Sequence, residues 1–154
     1  MTEAERILGA ARTVVVVDWP SRDVPDTLAR AGYTVLVKGG PDPDSYSAYE
    51  MRDGEVVPRR TGEPPASADL VYAHRPVAEL PGIAMLAQRL GAGAVWHQSG
   101  LASDGSKDPH GCWLPEADSQ AARGMMESAG LAYLAAPYIA DEVRRLGAGQ
   151  SGGQ

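Results

Sequence analysis

Residues 13–41 read TVVVVDWPSRDVPDTLARAGYTVLVKGGP, and the fold class follows from how this stretch divides. Thr13 to Val17 is an unbroken β-branched run, the pattern of a parallel strand covered on both faces. Asp18 to Asp23 contains Pro20 and further turn formers, so it reads as a loop. Val24 to Ala31 reads as a helix, with Pro25 tolerated in its first turn and Gly32 at its C-terminal cap. Tyr33 to Val37 is a second strand, halted by Lys38-Gly39-Gly40-Pro41. The three pieces make one βαβ unit.

The rest of the chain extends that unit. Upstream, Thr2 and Glu5 stand at capping-box spacing before Ile7, Leu8 and Ala11, which predicts a short N-terminal helix. Downstream, Tyr49-Glu50-Met51-Arg52 and Glu55-Val56-Val57-Pro58 flank Asp53-Gly54, a two-residue hairpin signal. That register sets Arg52 opposite Glu55, and Pro58 restricts its strand to the edge of a sheet. Alternation then resumes. Strands are predicted at Asp69 to Ala73, Ala94 to His97 and Leu131 to Ala135, with helices at Leu80 to Leu90, Pro115 to Ala129 and Ile139 to Leu146. The expectation is one domain over residues 1–146. It is an α/β fold, a doubly wound and mainly parallel sheet of about five strands with an added edge β-hairpin. The Gly/Ser/Gln composition of residues 147–154 predicts a disordered tail.

Composition narrows the class. The chain has 154 residues, enough for one core, and 44% are hydrophobic. There is no Phe, so the core is mostly aliphatic. A net charge of −6 argues against a broad nucleic-acid surface, which needs a Lys/Arg excess to displace counterions from phosphates. The lone Cys112 excludes an internal disulfide and fits a reducing compartment. The acidic N-terminus leads into no long apolar run, and no stretch approaches the ~20 apolar residues of a membrane span. The expected location is cytoplasmic, with no membrane partner and a homodimer as the default assembly.

Ligands of open α/β sheets bind beyond the carboxyl ends of the strands, where the strand order reverses. Four segments qualify: Asp18 to Asp23, Lys38 to Pro41, His74-Arg75-Pro76, and Gln98-Ser99-Gly100. Ser21 and Arg22 precede a helix N-terminus, which favours an anion. Lys38, beside Gly39, and Arg75 are cations suited to phosphate, while Trp19, Pro76 and Val77 offer apolar faces to a purine. Asp18 is suited to a ribose hydroxyl or to capping the next helix. No dinucleotide fingerprint or phosphate-loop motif occurs. His74, His97 and His110 with Cys112 lack the paired spacing of a zinc site, and Ser99 sits in no nucleophile elbow, so neither a metal nor a catalytic residue is assigned.

Certain of these segments carry a resemblance. Gly32-Tyr33 before the second strand, Asp69-Leu70-Val71, His74-Arg75-Pro76, and Ala94-Val95-Trp96-His97-Gln98-Ser99-Gly100-Leu101 follow in order. With Ala121-Ala122 and Ala129-Gly130-Leu131, this resembles the CoA-binding-domain family over Arg12 to Leu146. These small Rossmann-like proteins are similar to the CoA-binding domain of the succinyl-CoA synthetase α subunit. The resemblance implies CoA, acyl-CoA or a related adenine nucleotide across the four strand ends, in a non-catalytic regulatory or accessory module. The chain departs from the family in its glycine-free first loop and in Lys38-Gly39-Gly40-Pro41, where the family tends to show Asn-Pro. Two alternatives stay open: a scaffold that has lost its nucleotide and binds proteins, and an acyl-CoA-dependent enzyme using His74 or His97.

Overall fold

The computed structural model describes residues 1–18, 21–39 and 45–152, with side chains described through Gly147. Helix α1 (Glu3–Ala10) opens the chain, with the Glu5 amide donating to Thr2 Oγ1 at 3.1 Å. Only half of the capping box forms, because the Glu5 carboxylate turns away to accept from Arg145 at 3.0 Å. Strand β1 (Thr13–Val17), helix α2 (Asp23–Arg30) and strand β2 (Thr34–Lys38) form the expected βαβ unit. Gly32 takes φ +99° between α2 and β2, a conformation that only glycine adopts freely.

The hairpin is longer than its sequence signal: β3 runs Tyr46–Arg52 and β4 runs Glu55–Arg60. Asp53 and Gly54 have φ of 53° and 83°, as a two-residue turn with both centres left-handed requires, and Arg52 pairs with Glu55. The extra length comes from the antiparallel ladder that β3 makes with β2, from Val35↔Tyr49 to Lys38↔Tyr46. Strand β5 (Leu70–His74), helix α3 (Leu80–Leu90), strand β6 (Ala94–Gln98), helix α4 (Glu116–Ser128), strand β7 (Ala132–Leu134) and helix α5 (Ile139–Gly152) complete the order. The last helix runs past Leu146 over residues read as a tail. No proline follows Leu146, so each amide can keep donating to the carbonyl four residues back.

All strands join one seven-stranded sheet, in the order β4-β3-β2-β1-β5-β6-β7. Five are parallel and the hairpin is antiparallel, so the architecture is a mainly parallel α/β sheet with an antiparallel edge pair. The hairpin is continuous with the sheet, which raises the strand count above the expected five. Pro58 lies in β4, the edge strand, where its missing amide leaves no ladder bond unmade.

Side chains alternate across the sheet, as a strand period of two demands. Val14 and Val16 pack with α1, α2 and α5, while Val15 packs with α3 and α4. Leu70 and Tyr72 on β5 repeat the first pattern, and Val71 and Ala73 the second. Both faces are therefore covered by helices, which is why the central strands read as continuous apolar runs. At the amino ends of the strands, Asp69 Oδ2 accepts from the Arg12 and Thr13 amides, each at 2.9 Å, and ties β1 to β5.

Candidate functional site

Chain direction along the sheet reverses its winding at β1, whose neighbours β2 and β5 are reached by connections leading to opposite sides. The carboxyl ends of β1 and β5 are thus the place for a crevice. A cleft of about 630 Å³ lies there. Asp18 follows β1, and His74, Arg75 and Pro76 come from the end of β5. Ser99 and Gly100 come from the exit of β6. These six are sequence-predicted site residues that the fold brings together.

Arg75 is held on two sides. Its Nη1 donates to Asp18 Oδ2 at 2.8 Å, and its Nε and Nη2 reach Glu79 at 3.1 and 2.5 Å. Glu79 first and Asp18 second raise the guanidinium pKa further. Asp18 itself has φ +61°, left-handed for a residue with a Cβ. His74 has a buried Nδ1 with no hydrogen-bond partner. Burial pushes its imidazole below the ordinary range, although the Asp18 charge and Gln98 pull the other way, so the ring is neutral at pH 7. Gly100 packs on that ring: a Cβ there would stand 3.0 Å from His74 Cε1.

The other predicted residues are used elsewhere. Ser21 Oγ accepts from the Asp23 amide at 3.2 Å, at the start of α2. Arg22 does not converge with Arg75. Its guanidinium bonds Asp26 and the Val56 carbonyl, at 3.0 and 2.8 Å, and lies over the Tyr49 ring. That geometry clasps α2 to the hairpin, outside the cleft. Lys38 lines a separate pocket of about 200 Å³ with Tyr46, Leu86 and Arg89, and the Gly39 amide donates to Ser45 O. Gln98 is buried between Tyr72, whose hydroxyl donates to its Oε1, and Pro109 O, to which its Nε2 donates at 2.5 Å. It therefore anchors the loop after β6 and is absent from the cleft lining. Trp19, Gly40 and Pro41 lie outside the described residues.

The 99–115 loop supplies what the strand-end rule missed. Leu101, Lys107, Asp108, Pro109, Leu114 and Pro115 line the cleft, joined by Asp118 from the first turn of α4, and Val77 lines it beside Pro76 as the apolar face the sequence offers. The loop folds back on itself: Gly100 N donates to Gly111 O, and Asp108 N to Gly100 O, both at 2.9 Å. Gly111 is required by this packing, because a Cβ there would lie 2.2 Å from the Leu101 carbonyl oxygen. Ser99 Oγ donates to Trp113 O at 2.6 Å and accepts from the Leu101 amide, so it serves the loop. Length was the available signal, since long loops directly after a strand end are commonly functional.

Two reactive-looking side chains are absent from the cleft lining. Burial pushes the Cys112 thiol up to about 11, with Asp108 and Asp141 adding to it, which keeps it protonated. His97 is fully buried, with Nδ1 2.9 Å from the Tyr133 hydroxyl and Nε2 2.7 Å from Arg75 O. Among the described residues no group of three or more His, Cys, Asp or Glu stands together to hold a metal ion. None of the described helices is long and apolar enough to cross a membrane.

Lys107 is exposed at the cleft and makes no ion pair among the described residues. The charged lining is therefore one open cation, one neutralised arginine and three carboxylates, set among mostly apolar walls. No family model matches the chain, and no curated protein matches it. Among solved structures, the chain is similar to a Thermus thermophilus protein described as cell-free ID.343. The two share 25% identity and a TM-score of 0.54, over 95% of this chain and 99% of that one, and the description names no activity.

Proposed function

We propose that the protein binds coenzyme A or a related adenine nucleotide in the β1–β5 cleft, as a regulatory or accessory module with no reaction of its own. The observation that supports this reading is the cleft itself, at the reversal of the sheet with a volume of about 630 Å³. Small-molecule sites typically run to several hundred Å³, mostly apolar with a few placed polar groups. Pro76, Val77, Leu101 and Leu114 suit a purine or a pantetheine arm. Lys107 suits a phosphate at the mouth.

The test is calorimetry of the purified chain with CoA, acetyl-CoA, NAD and ATP, repeated on Lys107→Glu. CoA is expected to bind with micromolar affinity. Reversing the Lys107 charge should weaken it by about tenfold, with the melting temperature unchanged. Absence of heat with all four ligands would discard the reading in favour of a protein-binding scaffold.

A further inference from the structure

Arg75 stands at the carboxyl end of β5, beside the reversal of the sheet, and two carboxylates already hold it. They are not equivalent. Glu79 is four residues on, takes two of the guanidinium nitrogens, and is not part of the cleft lining. Asp18 does line the cleft, and it crosses from the end of β1 to the end of β5 to reach Nη1 at 2.8 Å. Both partners stay partly exposed, at 35% for Arg75 and 47% for Asp18, and a pair this wet is weakly held.

The backbone at Asp18 adds an independent observation. Its φ of +61° is the conformation that glycine takes freely and that Asp and Asn tolerate better than most residues. In nucleotide-binding sheets the turn after the first strand is where glycine lets the backbone approach a diphosphate. This chain keeps a glycine-like backbone at that turn and adds a carboxylate.

We propose that Asp18 is an internal anion that sets the selectivity of the cleft: a phosphate-bearing ligand reaches Arg75 only by displacing the Asp18 carboxylate. This rests on the cleft being a nucleotide site, and it adds what governs which nucleotides enter. Phosphate offers the guanidinium two parallel charge-assisted bonds where Asp18 makes one. The displaced carboxylate stays beside the incoming charge and repels it, so each added negative charge is penalised. Neutral portions of a ligand escape the penalty.

The experiment is titration calorimetry of the wild type, Asp18→Asn and Asp18→Gly with CoA, inorganic pyrophosphate and pantetheine. Thermal melting confirms that each variant is folded. Asn keeps the side-chain shape, and Gly relieves the left-handed backbone, so one variant does not depend on the other. Both should raise the affinity for CoA and pyrophosphate by about tenfold and leave phosphate-free pantetheine unchanged. Adding Arg75→Ala should cancel the gain. CoA binding that is unchanged or weakened in both Asp18 variants overturns the proposal and leaves the CoA reading standing. A gain for pyrophosphate with CoA silent throughout overturns the CoA reading and keeps the exchange. If neither phosphate ligand binds any variant, both fall.

Discussion

His97 sits on β6 with its ring nitrogens bonded to groups of different kinds. The Arg75 carbonyl can only accept, so Nε2 carries the proton, and Nδ1 accepts from the Tyr133 hydroxyl. The ring is therefore neutral in the fold, and burial lowers its pKa. In an unfolded chain histidine titrates near pH 6.5. The stability gained by keeping His97 neutral is complete above that pH and is lost as pH falls through the lower folded value. Urea unfolding from pH 8 to pH 5 should show it: the wild type loses more stability across this range than His97→Gln does. At pH 7 the substitution itself should cost about 1–3 kcal/mol through the disturbed buried bonds. A wild type and variant with parallel pH profiles would remove His97 from this role. From sequence, His97 looked as available for chemistry as His74. The strand period places the two on neighbouring strands, but only the helix and loop packed above each ring decide that one is enclosed and the other lines a cleft.

The clasp made by Arg22 belongs to the scale of elements. Its position before α2 reads in sequence as an anion site, yet the edge hairpin brings the Val56 carbonyl and the Tyr49 ring within reach. Arg22→Ala should lower stability by about 1 kcal/mol, since a half-exposed guanidinium loses one carbonyl bond and an i,i+4 pair. CoA affinity should stay within experimental error, whereas it would fall if Arg22 bound the phosphates. Calorimetry beside thermal melting separates the two outcomes. The elements themselves were legible because each carries a local cause: Val14 to Val17 a buried strand, Asp53-Gly54 a turn, Pro58 an edge. Their ends were less so. Strand β3 reaches back to Tyr46 because β2 offers it a ladder, and α5 continues to Gly152. The Arg144 guanidinium on α5 bonds Asp23 on α2 at 2.7 Å, a link between helices that no sequence period announces.

At the scale of the whole molecule, the cleft opens at one end of the sheet, and the other end, at the amino ends of the strands, is structural. Asp69 holds the structural end, and bonds from the Thr13 and Arg12 amides keep its carboxyl below the usual range. Its contribution is complete above about pH 3.9, the ordinary aspartate value, and is lost as acid carries the pH through the lower folded pKa. Asp69→Ala should destabilise the fold by about 1 kcal/mol at pH 7, because the carboxylate is exposed and water competes for the bonds. That difference should shrink as acid is added, and ligand binding at the far end should be unaffected; denaturant titrations at pH 7 and pH 3 measure the first and calorimetry the second. The sequence by itself determined the alternation of strands and helices, the place of the hairpin and the strand ends at which the cleft opens. Those depend on local period, turn chemistry and the shared direction of parallel strands. Only the tertiary structure decided which side chains meet in the cleft. Asp18 crosses to Arg75, Arg22 and Lys38 turn elsewhere, and the 99–115 loop lines the opening. Contacts between residues so far apart in the chain are set by how the sheet twists and how its helices pack, and no spacing along the sequence encodes them.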